Sequence, residues 1–257
     1  MHSRIYRCAA VACLVLTSWC WGTEESKDSK EAEKEPTFHL GAGGLVSTKP
    51  YAGVDAKVYP VPLVAYEGKR FYMRGVQGGY RLFSNKGLSI GPIVQPRFDG
   101  FGEDDSPALA GMQDRNWSVD GGVGVEAITG IGLFGLSLVT DLLGRHRGQE
   151  VEFGYTIMFP VLGFDFIPTA GVRWKSDNLV DYYYGVRANE VRPGRPLYEG
   201  EAATDPFLRL AVRRKLTEHW SLLGAVQYEW LADKITDSPI VDKDHEMSFL
   251  ASVLYSW

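Results

Sequence analysis

Residues 247–257 alternate without a break. Met247, Phe249, Ala251, Val253, Tyr255 and Trp257 share one side of an extended chain, and Ser248, Leu250, Ser252, Leu254 and Ser256 share the other. A side-chain period of two is the mark of a β-strand. An apolar face that ends in two aromatics is expected to touch lipid along its length, with its tip at the membrane interface, as in a transmembrane barrel. A soluble domain would leave that aromatic end uncovered.

The other end of the chain points to export. Arg4 and Arg7 precede an apolar run over 8–16, and small residues at Cys20 and Gly22 suit a cleavage site, so 1–22 reads as a secretory signal peptide. The run is well short of the roughly 20 residues a membrane helix needs, and no longer one follows. A lipoprotein reading of Cys20 is opposed by bulky Trp19 before it. All three cysteines, Cys8, Cys13 and Cys20, lie in this leader. The exported chain therefore has no disulfide framework, which suits a closed sheet and equally a cysteine-free periplasmic domain.

There are 27 basic and 32 acidic residues, a net charge of −5, and loss of Arg4 and Arg7 with the leader would make it −7. No basic stripe with interleaved aromatics is present, so nucleic acid is not expected as a partner. Residues 23–36 (TEESKDSKEAEKEP) carry almost nothing apolar and read as a charged, flexible linker. The barrel is expected over 37–257.

Alternation recurs through that region. Trp117, Val119, Val123 and Val125 oppose Ser118, Asp120, Gly122, Gly124 and Glu126. Val151, Phe153, Tyr155, Ile157 and Phe159 oppose Glu152, Gly154, Thr156 and Met158. Phe164, Phe166, Ala170, Val172 and Trp174 oppose Asp165, Thr169, Gly171, Arg173 and Lys175. Leu208, Leu210 and Val212 oppose Arg209, Ala211 and Arg213; Trp220, Leu222, Val226, Tyr228 and Trp230 oppose Ser221, Ala225, Gln227 and Glu229. Trp220 and Trp230 bracket one strand as two interfacial girdles would. Asp120, Glu126, Arg173, Arg209, Arg213 and Glu229, with Glu152, Asp165 and Gln227, are expected to line a polar lumen. A soluble sandwich also alternates, but with its apolar face packed inward; the signal peptide and aromatic end favour the barrel.

Connections near 84–87, 129–130, 160–163 and 217–219 are short, as periplasmic turns are, whereas 99–116, 142–149, 176–205 and 232–244 are long and polar, as outer loops are. The segments 38–47, 58–67 and 70–77 fit this scheme only with a hairpin of odd placement. DYYYGVR over 181–187 reads as a further strand or a fold within a loop. Twelve antiparallel strands are expected, with ten as the alternative.

Seven short stretches in order give the chain a further likeness: PYAGVD (50–55), YPVPLVAY (59–66), FYMRG (71–75), LSIGP (88–92), DYYYGV (181–186), LTEHWSL (216–222) and DSPIV (237–241). Through them the chain resembles the MipA/OmpV family of outer-membrane proteins from about His39 to Trp257. The resemblance implies a Gram-negative outer-membrane barrel with no enzymatic activity, catalytic residue, metal or cofactor. It implies a scaffold joining murein hydrolase and synthase, a lytic murein transglycosylase and a penicillin-binding protein, at the inner face of that membrane. Other members are linked to adhesion, osmotic response or antibiotic uptake. Tyr255-Ser256-Trp257 also looks like the signal read by the barrel-assembly machinery, although Ser252 stands where glycine is usual and Leu250 where a polar residue is common.

Catalysis would need a histidine beside a nucleophile or carboxylate. His146 or His245 with Asp242 or Asp244 could imitate such a pair, but a solvated loop histidine is the simpler expectation. Glu103, Asp104 and Asp105 match no metal-loop spacing and read as solvated acidity. Gly41, Gly43 and Gly44 open no helix, so they cradle no phosphate and fit a strand lying close to a neighbour. Two other functions compete with the scaffold: a small-solute or antibiotic-permeable channel through the lumen, and an adhesin acting through the outer loops.

Overall fold

The computed structural model describes residues 36–257; the expected signal peptide, and the linker up to residue 35, lie outside them. Strands run in the order β1 (Thr37–Ser47), β2 (Lys57–Glu67), β3 (Phe71–Arg74), β4 (Gln77–Tyr80), β5 (Phe83–Asn85), β6 (Leu88–Arg97), β7 (Ser118–Thr129) and β8 (Gly132–Asp141). They continue as β9 (Gln149–Thr156), β10 (Phe159–Val161), β11 (Phe164–Lys175), β12 (Ala203–Lys215), β13 (Trp220–Trp230) and β14 (His245–Ser256). Helix α1 (Asp177–Tyr184) lies between β11 and β12, and α2 (Asp233–Thr236) between β13 and β14. No described helix is long and apolar enough to cross a membrane.

Every strand is antiparallel to its neighbours, and β14 pairs with β1 while β11 pairs with β9, so the sheet closes. β4 and β5 both pair with β6 and form one wall strand, and β9 with β10 along β11 forms another. The wall therefore has twelve strands. Closure pairs most of the wall's backbone groups internally, as hydrocarbon demands. Gly79 opposes Ile93 but Phe83 opposes Ile90, a one-residue slip that marks a bulge between β4 and β5. The bulge lies against Gly91, where an added Cβ would stand 1.7 Å from the Tyr80 carbonyl.

The odd-placed early segment resolves into β1, β2 and a short hairpin, β3–β4, whose two-residue tip has Gly75 at φ 62°. Gly41 and Gly43 are bare because β14 lies against them: a Cβ at Gly41 would come within 2.3 Å of the Val253 carbonyl.

Side-chain faces follow the alternation. Phe249, Val253, Leu208, Val172, Phe153, Trp220, Trp230 and Trp257 are exposed on the outside, whereas Ser248, Leu250, Leu254, Arg209, Gln227 and Glu229 are buried. Outward aromatics gather at the two ends: Trp117, Trp174 and Trp230 at one, Phe38, Phe83, Phe159, Trp220 and Trp257 at the other.

Two expectations need correction, and one open choice is resolved. Of the two readings of 181–187, the fold within a loop is the one found: α1 ends there and Gly185 follows it. The outer loops are not simply polar. Tyr51, Phe101, Leu109, Met112, Leu179, Val180, Tyr183, Tyr184, Ile235 and Ile240, drawn from four loops, form an apolar core. At about 1.5–3 kcal/mol for each large side chain buried, that core holds the loops together as a cap. The lumen is not uniformly polar either. Inward-facing Leu45, Val61, Leu63, Ile167, Ala211, Leu223, Ala225, Leu250 and Leu254 form a second core along β11–β14, β1 and β2. Alternation sorts inside from outside but leaves open whether the inside is wet.

Candidate functional site

Beneath the cap, charged side chains from six strands cross the lumen. Arg97 Nε donates to Asp120 at 2.7 Å, and its two other nitrogens reach Asp99 at 3.0 Å and Glu150 at 2.9 Å. Arg173 contacts Glu150 at 3.6 Å and Glu152 at 2.6 Å, and pairs with Glu229. Lys175 joins Glu229 at 3.0 Å to Asp205 at 2.7 Å. Arg209 Nε donates to Gln227 at 2.8 Å. The belt thus runs without interruption from β7 through β6, β9, β11 and β13 to β12.

Buried ions tolerate the loss of water only when each meets partners with good geometry. That condition favours a continuous belt, in which Glu150 Oε2 and Asp205 Oδ2 meet their cations at ion-pair distance without an aligned hydrogen bond. Nearer the periplasmic end, Arg74 pairs with Glu67 at 3.2 Å and with Glu126, and Arg213 with Asp165 at 2.7 Å.

At the belt's outer end, Asp99, in the loop after β6, would have its carboxyl raised by burial. Arg97, Lys49 and Lys175 outweigh that and hold it at about 2. In the cap, Arg115 grips Glu190 through both oxygens, at 2.8 and 3.0 Å, with both side chains fully buried. Burial favours the neutral acid there too. The bonds from Arg115 and from the N–H groups of Arg187 and Gln113 prevail, leaving Glu190 at about 2.

His146 is the main departure at the level of single residues. It is 3% exposed rather than solvated. Gly148 N–H donates to its Nδ1 at 3.1 Å, so the proton lies on Nε2, which donates to Asp120 at 3.0 Å. Ser118 Oγ donates to Asp141 at 2.5 Å, and Asp141 also accepts from the N–H groups of Leu143, His146 and Arg147. Asp120, Asp141 and His146 lie close enough to hold an ion, yet their atoms are committed to these hydrogen bonds, which fix the 142–148 loop to the barrel mouth. His245 hydrogen-bonds exposed Asp244 at 2.7 Å and stacks on Tyr228. Lys57 and Gly102 N–H hold Asp105, at 2.9 and 3.0 Å. In these clusters no serine hydroxyl is set against a histidine; the pair that does meet is His39 Nδ1 and Ser256 Oγ, at 2.5 Å, where β1 and β14 end.

Of the eight charges expected in the lumen, Glu152 joins the belt through Arg173 and Asp165 meets Arg213. Asp120, Arg173 and Glu229 join the belt, Arg209 lies beside it, and Glu126 and Arg213 fall in the lower pairs. Arg97, Glu150, Lys175, Asp205 and His146 were not singled out as belt members. Lys175 already shares a face with Arg173 in the alternation, and Glu150 lies one same-face step beyond Glu152. The loop residue His146 has no such signal. Trp220 and Trp230 stand exposed at opposite ends of β13, and Tyr255 packs edge-on against both Trp220 and Trp257.

Below the belt a cavity of about 140 Å³ remains, along a wall where Gly124, Gly135 and Gly154 face inward. Gly135 opposes Gly154, which opposes Gly171, so three bare positions lie at one height across β8, β9 and β11.

A closed antiparallel barrel with an apolar exterior, end-placed aromatics and an internally paired lumen defines the class of outer-membrane β-barrels. Residues 40–257 match the family model described as MltA-interacting protein MipA, and the chain belongs to that family. It is 33% identical over 215 residues to the MltA-interacting protein of Escherichia coli (strain K12), covering 82% of this chain and 87% of that one. It is 29% identical to the putative outer membrane protein YiaT of the same organism, covering 85% and 89%. Among solved structures, an outer membrane channel from Pseudomonas putida F1 aligns with a TM-score of 0.43 at 8% identity, over 90% of this chain and 100% of that one. The protein resides in the outer membrane of a Gram-negative cell.

Proposed function

We propose that the protein is a non-enzymatic scaffold, anchoring a lytic murein transglycosylase and a penicillin-binding protein at the periplasmic face of the outer membrane. The observation that carries this reading is the double closure of the outer end, by the apolar cap and the ion-paired belt. A barrel stoppered on that side presents its working surface on the other. The periplasmic rim there is basic, with Arg70, Lys86, Arg214 and Lys215 exposed and Lys69 beside them. Such a rim suits acidic protein surfaces and the carboxylates of murein peptides. The name of the Escherichia coli relative, MltA-interacting protein, agrees with a transglycosylase partner. Outward Trp220 and Trp230 then lie at the two interfaces, and Tyr255 and Trp257 form the segment read by the barrel-assembly machinery.

The test is crosslinking pull-down from intact envelopes with charge-reversed Arg70, Lys86, Arg214 and Lys215. Recovery of murein enzymes should fall at least tenfold while barrel levels stay constant, and unchanged recovery would refute the role of the rim. The cavity supports the channel as a second reading. In planar bilayers the closed barrel should show no steady conductance; a stable, solute-selective current would replace the scaffold with a pore.

A further inference from the structure

Among the described residues, the outer half of β2 is a long unpaired edge in the wall. β3 covers β2 only at Ala65–Glu67, and Gly75 N–H reaches the Val64 carbonyl at 2.9 Å. Residues 57–63 of β2 have no strand partner on that side. Because the Val64 carbonyl faces β3, the even residues of β2 all turn their backbone groups that way. Pro60 and Pro62 share this parity. Two of the donors that would face hydrocarbon at the open edge are thus absent from the chain, where an unmade backbone hydrogen bond is most costly. Missing donors also make the edge a poor template for another β-strand. The edge is built to stay open to lipid, and Val58, Pro60 and Pro62 are exposed on its outer face.

Behind it lies the cavity, lined there by Lys49, Gln77, Pro96, Phe98 and Glu246. Phe98 and Tyr59 pack on the apolar cluster containing Leu45, Val61 and Leu63 and fill the space at the edge with side chains rather than strand. Lys49 is 7% exposed, and its ammonium makes one long hydrogen bond, 3.4 Å to the Phe98 carbonyl. Neither Lys49 nor Glu246 forms an ion pair with a described residue, and Glu246 has no side-chain hydrogen bond. The belt charges meet counter-ions within 4 Å, whereas Lys49 and Glu246, at the same cavity, act on their charged neighbours only from further away.

We propose that the gap above the β3–β4 hairpin is a lateral portal through which a membrane amphiphile places a zwitterionic head between Lys49 and Glu246, its acyl chain leaving past Phe98 into the bilayer. An anionic oxygen of the head accepts from Lys49 and its ammonium donates to Glu246, each giving a direct partner to a side chain that has no ion pair in the protein.

The test is calorimetric titration of the barrel in dodecyl maltoside micelles with a 14-carbon lysophosphatidylethanolamine. Saturable binding near one per barrel is expected, weakened at least tenfold by Lys49→Met and by Glu246→Gln. Phe98→Ala should speed association severalfold. Lysophosphatidylglycerol, which lacks the ammonium, and glycerophosphoethanolamine, which lacks the chain, should each bind at least tenfold more weakly. No saturable binding, or binding indifferent to both charge variants, would overturn the site. Equal binding of the chainless head would overturn the lateral route, because that ligand arrives through water. Variants are compared only where heat-modified gel migration shows a folded barrel, and Glu246→Gln, nearly isosteric, keeps the question answerable if Lys49→Met does not fold.

Discussion

The two walls of this barrel obey the same alternation and use it differently. From β11 through β14 to β1 and β2, inward positions carry leucine, isoleucine, valine and alanine, and the lumen is packed as a core. From β7 to β9 they carry Gly124, Gly135 and Gly154 among acids and hydroxyls, and space is left. Strand pairing runs through both walls and lapses on the packed one only along the open edge of β2. The wall that stabilises the barrel is thus separate from the wall that keeps room inside it, and the belt ties the two at the top.

The largest test of that division is the belt. Glu229→Gln leaves Arg173 and Lys175 buried with one partner neutralised, and should lower unfolding free energy by roughly 3–5 kcal/mol in urea titrations of refolded barrel. Leu223→Ala on the packed wall should cost roughly 3 kcal/mol in the same assay, because Leu223 is 1% exposed and its neighbours cannot collapse onto the void.

The cap should respond to acid. Glu190 is held at about 2, below its unfolded value, so its contribution is complete above the unfolded pKa and fades as pH falls from near 4.5 toward 2. Proteolysis of the 176–202 loop across pH 5 to 2 should show the cap loosening in that window, and Glu190→Gln should loosen it already at pH 7 by about 1–3 kcal/mol. The smallest effect belongs to the bare wall. A Cβ at Gly135 meets nothing within 4 Å, so Gly135→Ala should be neutral or stabilise by about 0.5 kcal/mol. Gly41→Ala on the packed wall, with 2.3 Å to the Val253 carbonyl, should destabilise clearly. Equal responses at the two glycines would erase the distinction between the walls.

Much of this was legible before any coordinates. Trp220, Val226 and Trp230 announce their face because period two is local, needing only neighbours in the chain. The same rule put Arg173 and Glu229 indoors. It could not say that Arg173 meets Glu229, since β11 and β13 are joined only through the register of β12. His146 was misread as solvated because a loop residue has no periodicity to betray its burial. The cap was missed for a related reason: its tyrosines and leucines are scattered over four loops, and no single loop is apolar enough to look like a core.

The sequence by itself determined that this chain is a barrel, which residues face lipid, and to which family it belongs, because face and turn length are written in adjacent residues. The tertiary structure alone decided that the lumen is half core and half cavity, that its charges pair into a belt, and that β2 keeps an open edge at Pro60 and Pro62. Those are properties of which strands become neighbours and in what register, and register is fixed only when the sheet closes on itself.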